Sequence, residues 1–382
     1  MKGSSLRAPP IECRDPESFG GFTVRERFPK IMAQARAGLE PARAADARFD
    51  ELLDDVVSGR AIRMAHFAHQ TEYWRSYLQA LRGRSWSELS FFETEFCFYQ
   101  AINSLAGAFD SEVDVFAHVK SEALEAAVRS LESRPYEFLS KTSLGELVMS
   151  ATIGNVADAS QLAAHGDVER IQSLIVDDSA GLSQLLSAPL GAVHWLLDNA
   201  GAELCADLAL VDRLITTTAA RVVLHAKPWP MFVSDALLSD VDNSLARFSY
   251  SESSELRALG RRLQVQREAG RLSLRAPSCW GEPRHFFEVP SDLAAELRSA
   301  TVVVAKGDLN YRRFIEDRAW PADTPLSLAN TSSFSAYALR VLKSEALAGI
   351  STESARALSQ AEPDYRISAR HAMVQYLPCA VG

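Results

Sequence analysis

Val193-His194-Trp195-Leu196-Leu197-Asp198-Asn199-Ala200-Gly201 is the stretch on which the fold of this chain turns. A short apolar run ends in a carboxylate and an amide. The same device recurs in Phe232-Val233-Ser234-Asp235 and in Thr301-Val302-Val303-Val304-Ala305-Lys306-Gly307-Asp308. A short β-rich run followed by Asp, Asn or Gly predicts a buried strand that carries polar groups to the carboxyl edge of a sheet. In open α/β sheets that edge is where ligands bind. Three such edges bearing hard oxygen donors point to a divalent cation and an anionic substrate.

Outward from that stretch the chain divides in two. From Ala192 onward, strand-like runs (Arg221 to Ala226, Thr301 to Ala305, Tyr337 to Leu342, Ala372 to Tyr376) alternate with helices (Glu203 to Ile215, Glu255 to Ala269, Asp292 to Ser299). Such alternation predicts βαβ units and a mostly parallel sheet. Toward the N-terminus the periodicity is helical: Phe22 to Ala37, Phe49 to Val57, Tyr73 to Leu81, Ser87 to Ala106 and Asp110 to Leu131. The expectation is an α/β protein in which a helical region, residues 1–145, packs as a cap on an α/β domain, residues 146–382.

Composition narrows the function. The 382 residues are 47% hydrophobic and 23% charged, which suits a globular core. A formal charge of −9 leaves no basic surplus to neutralise nucleic-acid phosphates. It leaves room for a local Lys/Arg cluster and a small phosphorylated ligand. Cys13, Cys97, Cys205, Cys279 and Cys379 are scattered without a CxxC pair, so neither a disulfide framework nor a zinc site is expected. The histidines form no HxH or HExxH arrangement. With no apolar run of membrane-spanning length and no signal-peptide core, a cytoplasmic, membrane-free protein is expected.

Asp198, Asn199 and Asp235 supply three oxygens of the kind Mg²⁺ and Mn²⁺ prefer, leaving positions for water and a phosphate. Asp198 and Asn199 read equally well as caps of the helix near Glu203. Lys306 to Arg312 falls at a strand-to-helix junction, where backbone N–H groups and the helix dipole favour an anion. Arg312 there is expected to grip phosphate bidentately. Lys343 and Lys227, each following a strand, read singly as solvated lysines. Asn155 and Asp158 read as an Asx-type turn.

Taken in order, these motifs resemble the metal-dependent damage-control phosphatases, a family once catalogued as a domain of unknown function. The strings are Gly154-Asn155-…-Asp158, Leu197-Asp198-Asn199-Ala200-Gly201-…-Glu203, Phe232-Val233-Ser234-Asp235, Lys306-Gly307-Asp308-Leu309-Asn310-Tyr311-Arg312 and Arg340-Val341-Leu342-Lys343. The resemblance is to the subfamily acting on sugar phosphates, also described as acidic-residue carboxyl methyltransferases. It spans roughly residues 20 to 378. Thr23 to Pro29 and the helix around Phe91-Phe92-Glu93 fit it more loosely.

The resemblance implies a helical N-terminal domain packed on a three-layer α/β/α sandwich. It implies Asp198, Asn199 and Asp235 as catalytic metal ligands, with Mn²⁺ or Mg²⁺ bound and Co²⁺ or Ni²⁺ as substitutes. Asp308, Leu309, Asn310, Tyr311 and Arg312 would line the substrate site, Lys343 would contact the phosphate, and Asn155 and Asp158 would belong to the pocket. The subfamily's Arg-Thr-x-Lys reads Arg340-Val341-Leu342-Lys343 here, without the hydroxyl. The implied reaction is hydrolysis of a phosphomonoester of a small metabolite, such as a sugar phosphate. Its attacking group is either a metal-activated water or the Asp198 carboxylate. The alternatives are S-adenosylmethionine-dependent methyl transfer to acidic side chains and non-catalytic sugar-phosphate binding.

Overall fold

The computed structural model describes residues 7–67, 71–111, 113–135, 138–154, 173–189, 191–218 and 220–380. Its centre is a seven-stranded sheet: β1 (Ser173–Asp177), β2 (Ala192–Leu196), β3 (Arg221–His225), β4 (Leu272–Arg275), β5 (Val302–Lys306), β6 (Ala336–Val341) and β7 (His371–Leu377). The spatial order is β1-β7-β6-β5-β2-β3-β4. Every pair is parallel except β6 with β7.

The order decides where a ligand can bind. β2 and β5 are neighbours, with Val193 opposite Val302 and Leu196 opposite Ala305. From β2 the chain winds outward through β3 to β4. From β5 it winds the other way through β6 to β7. The direction of winding therefore reverses between β2 and β5, and a crevice opens beyond their carboxyl ends. Both strands are almost wholly buried, as the near-continuous apolar runs require of central parallel strands.

Both faces are covered, which makes three layers. On one face Val193, Trp195, Val222, Leu224, Val302 and Val304 pack against six helices, Ala117–Glu132, Leu144–Ile153, Ser179–Ser187, Ala202–Thr217, Leu238–Ser249 and Ser254–Glu268. On the other, Leu196, Val303 and Ala305 meet Phe286, Leu293, Leu297 and Phe314. Helix Ala117–Glu132, grouped by sequence with the N-terminal helices, thus contributes Leu124 and Val128 to the sheet's core.

The N-terminal helices build a third core around Phe28, Phe49, Trp74, Phe92, Phe96 and Ile102. At its centre lies Phe91–Ala106, buried on all sides. The helix starts four residues later than its aromatic pattern suggests. A reciprocal cap between Ser90 and Glu93 sets its first turn, and Gly107 ends it in the left-handed conformation at φ 70°. The expected helix Phe22 to Ala37 is a longer run, Phe19–Ala37, interrupted by a π-helical turn at Thr23–Arg27. Phe28 N–H donates five residues back, to Thr23 O. Pro29 explains the widening. It has no N–H to donate, and its ring would strike the carbonyl four residues back in a regular helix.

The expectation of a strand at Phe232 to Asp235 is overturned. This segment is a loop after β3, with Phe232 and Val233 at φ 49° and 61°. Its apolar residues are there because Met231, Phe232 and Val233 pack against the N-terminal core, not because they lie in the sheet. β1 and β4, at opposite edges, are short and carry no alternation strong enough to read.

Candidate functional site

The loops after β2 and β3 are zipped together. Asn199 and Asp235 form an isolated antiparallel bridge. Ala200 N–H donates to Ser234 O and Ala236 N–H to Asp198 O, both at 2.7 Å. Two carboxylates and an amide, 37 residues apart at their extremes in the chain, thereby share one corner beyond the sheet. The positive φ of Val233, a β-branched residue, marks backbone held in place by its surroundings, as such outliers are at functional sites.

Side-chain bonds then fix the amide. Ser234 Oγ donates to Asn199 Oδ1 at 2.6 Å. Asn199 Nδ2 donates to Asp198 Oδ2 at 2.8 Å and to Glu203 Oε2 at 2.9 Å. Lys227 Nζ lies 2.9 Å from Asp235 Oδ2, and both side chains are buried. The solvated reading of Lys227 is thus corrected: the lysine is the internal counterion of Asp235. Lys306, fully buried at the end of β5, pairs with Glu203 at 2.7 Å and Asp207 at 3.0 Å.

These carboxylates strain against one another. Burial, with the Glu203 and Asp235 carboxylates beside it, pushes the Asp198 carboxyl well above its ordinary range. Burial also raises Asp235, against the pull of Lys227. Burial pushes Glu203 up too, but Lys306 and the Asn199 amide outweigh it and leave that group low. Burial holds Asp207 at about 7 despite Lys306.

From β5 comes the opposite wall. Gly307 stands at φ 79°, and a Cβ there would fall 2.0 Å from the Asp198 carboxylate. Only glycine leaves that space open. Helix Gly307–Phe314 follows, with Asp308 in its first turn. Asp308 Oδ1 receives Arg340 Nη2 at 2.7 Å and the Lys343 N–H at 3.4 Å, tying the ends of β5 and β6 together.

A cavity of about 150 Å³ occupies the crevice. Its walls are Asp198, Asn199, Ser234 and Asp235 on one side, Asp308, Leu309, Arg312, Lys343 and Ser344 on another, with Phe232 between. Phe19, Arg27 and Glu95 close it from the N-terminal helices. Of the residues expected at the site, Asp198, Asn199, Asp235, Asp308, Leu309, Arg312 and Lys343 are therefore brought together.

Asn310 and Tyr311 are not on the cavity wall. Asn310 Nδ2 donates to the Lys306 and Leu197 carbonyls, and Tyr311 OH bonds the Ala348 backbone beneath the Arg340 guanidinium. Both brace the wall from behind. Asn155 and Asp158 lie outside the described residues. Arg312 reaches the cavity, but its guanidinium is already engaged. Nε and Nη2 grip Asp317 at 2.6 and 3.0 Å, Nη1 meets Glu95 at 2.6 Å, and the plane lies over Phe91. The bidentate phosphate grip expected of it is corrected accordingly. Its fork closes on a protein carboxylate.

The donor set fits a hard divalent cation. Asp198, Asp235 and Asn199 offer oxygen donors at the cavity floor, and the two mutually repelling carboxylates are stabilised by a positive charge between them. Among the described residues no three His, Cys, Asp or Glu side chains form a ready metal cage. A set of two carboxylates and an amide relies on water and substrate for its remaining positions, as Mg²⁺ sites commonly do.

Glu203, Ser234, Gly307 and Arg27 were not singled out from sequence as site residues. Glu203, Ser234 and Gly307 each sit inside a quoted motif, and Arg27 lies in the more loosely fitting Thr23 to Pro29. The described cysteines are all free, and no described helix is long and apolar enough to cross a membrane.

Residues 23–358 match the family model described as Damage-control phosphatase ARMT1-like domain. The protein named Damage-control phosphatase ARMT1 from Xenopus tropicalis is 25% identical, over 96% of this chain and 98% of that protein. Its namesake from Mus musculus is 23% identical, with the same coverage of both chains. The crystal structure of a DUF89 family protein from Pyrococcus horikoshii, 14% identical, superposes with a TM-score of 0.49 over 87% of this chain and 94% of that one.

Proposed function

This chain belongs to the damage-control phosphatase ARMT1-like family, and from that premise we propose that it is a metal-dependent phosphomonoesterase for a small phosphorylated metabolite, of sugar-phosphate size. The observation that carries the proposal is the convergence of Asp198, Asn199 and Asp235 at the reversal point between β2 and β5, beside the space that Gly307 leaves. Residues 146–382 would form the metal-binding α/β/α domain. Residues 1–145 would form a cap that closes the cavity through Phe19, Arg27 and Glu95.

In this reading Asp198, Asp235 and the Asn199 carbonyl oxygen hold Mn²⁺ or Mg²⁺. The cation, when bound, supplies positive charge to a phosphate oxygen. The protein's own groups do the positioning, which is most of what phosphoryl transfer needs. Ser234, Glu203 and Asp198 fix the Asn199 amide, its oxygen accepting from Ser234 and its nitrogen donating to the two carboxylates. Lys227 pairs with Asp235 and opposes the rise that burial imposes on its carboxyl. Lys343, an exposed cation on the wall, neutralises phosphate charge. Asp308 and Leu309 shape the substrate wall, and Asn310, Tyr311 and Arg312 keep that wall in place.

The test is phosphate release from a panel of sugar phosphates, with Mn²⁺, Mg²⁺, Co²⁺ or Ni²⁺ restored after chelation, for the wild type and Asp198→Ala. Metal-dependent release that disappears in the variant is expected. No release with any metal sinks the assignment and favours methyl transfer or simple binding, and release that survives Asp198→Ala, or that needs no metal, removes Asp198 and the cation from the chemistry.

A further inference from the structure

The cations around the crevice are almost all neutralised by protein. Lys227 pairs with Asp235, Lys306 with Glu203 and Asp207, Lys120 with Asp114 and Asp240, and Arg340 with Asp308. Arg313 donates to the Arg284 and Trp280 carbonyls, and Arg312 is held by Asp317 and Glu95. Two cations on the cavity wall stand apart. Lys343 and Arg27 are exposed and make no ion pair or side-chain hydrogen bond among the described residues. They enter from different parts of the chain, Lys343 after β6 and Arg27 from the N-terminal helical run.

Arg27 is the last residue of the π-helical turn that Pro29 imposes. A π turn shifts the residues beyond it around the helix axis, so which face Arg27 occupies depends on that widening. Its charge is felt inside the site, where burial raises Glu95 and Tyr99 and Arg27 offsets a small part of that rise. An arginine fork with no protein carboxylate in its grip matches two phosphate oxygens in one plane.

We propose that Arg27, carried to the cavity by the π-helical turn, is the arginine that grips the substrate phosphate, while Arg312 is a buried strut. This rests on the phosphatase reading above and adds a binding residue from the N-terminal region. Asp198, Asn199 and Asp235 form the floor, and Arg27 and Lys343 meet the phosphate oxygens turned away from it. The helical cap is then part of the substrate site, and its Phe19–Ala37 segment cannot be removed without losing phosphate affinity.

Inorganic phosphate is the probe. It is titrated calorimetrically into full-length, Mn²⁺-supplemented wild type, Arg27→Ala, Arg27→Gln and Arg27→Lys, with KM and kcat measured on the best sugar phosphate of the panel. At least a tenfold loss of phosphate affinity is expected for Arg27→Ala and Arg27→Gln, with KM rising in step. Arg27→Lys is expected to recover part of the loss, and the melting temperature to stay at the wild-type value because Arg27 is exposed. Arg27→Gln keeps most of the side-chain stem, so the comparison survives any loss of packing in the alanine variant. Phosphate affinity within twofold of wild type in both variants overturns the role of Arg27 and leaves the phosphatase reading intact. A wild type that neither binds nor releases phosphate overturns both.

Discussion

Gly307→Ala is expected to disable the site while barely touching the fold. An added Cβ would fall 2.0 Å from both Cγ and Oδ2 of Asp198, where real Cβ contacts essentially never come below 3.0 Å. One of the two groups must therefore move by at least about 1 Å, and a misplacement of that size at a reacting centre costs on the order of 10²-fold in rate. Alanine at φ 79° adds about 1–2 kcal/mol of backbone strain. For a chain of this length that lowers the melting temperature by only about 1–3 °C. The assay is kcat with saturating Mn²⁺, alongside calorimetric Mn²⁺ affinity and a thermal melt. The expected signature is a rate loss of about 100-fold, weaker metal binding and a nearly unchanged melt. A variant that keeps kcat within threefold of wild type refutes the reasoning, because Asp198 would then not occupy a position that matters.

Two further outcomes follow from buried charges. Trp280 can only donate, so its Nε1–H bond fixes His225 Nδ1 as an acceptor. His225 Nε2 then carries the proton and donates to His194 Nδ1 at 2.9 Å. Burial, with His194 and Arg275 adding to it, depresses His225 from 6.5 to about 3. A depressed histidine contributes stability that is present above pH 6.5 and is lost as pH falls toward 3. Urea unfolding is expected to give about 2 kcal/mol less stability at pH 5 than at pH 8 from this group, a slope that His225→Gln should flatten. An unchanged slope in the variant counts against it. Arg312→Ala strands Asp317 and Glu95 as buried, unpaired carboxylates, at a cost of about 3–5 kcal/mol, or about 4–6 °C in the melt. A fall of less than 1 °C shows that Arg312 is not the strut described here.

Much of the architecture was legible because its signals are local. β2 and β5 announce themselves as continuous apolar runs, since a strand between two parallel neighbours is buried on both faces. The polar residues at their ends, Asp198, Asn199 and Asp308, mark the carboxyl edge for the same reason. The loop at Phe232 misled because apolar content reports burial and not the partner. That loop is buried against helices, and its left-handed backbone at Val233 leaves no trace in composition. Edge strands β1 and β4 have one neighbour each, so their patterns are weak.

Charge pairing was the part out of reach. The sequence by itself determined an α/β sheet, its helical N-terminal region and the acidic residues at strand ends, because periodicity and backbone preference are set within a few residues. Only the tertiary structure decided that Lys227 is internal, that Arg312 closes on Asp317 and on Glu95, 217 residues distant in the chain, and that Gly307 faces Asp198 across the crevice. A carboxylate takes whichever cation the fold brings within about 3 Å, and that choice is made by packing between distant segments, which no local pattern records.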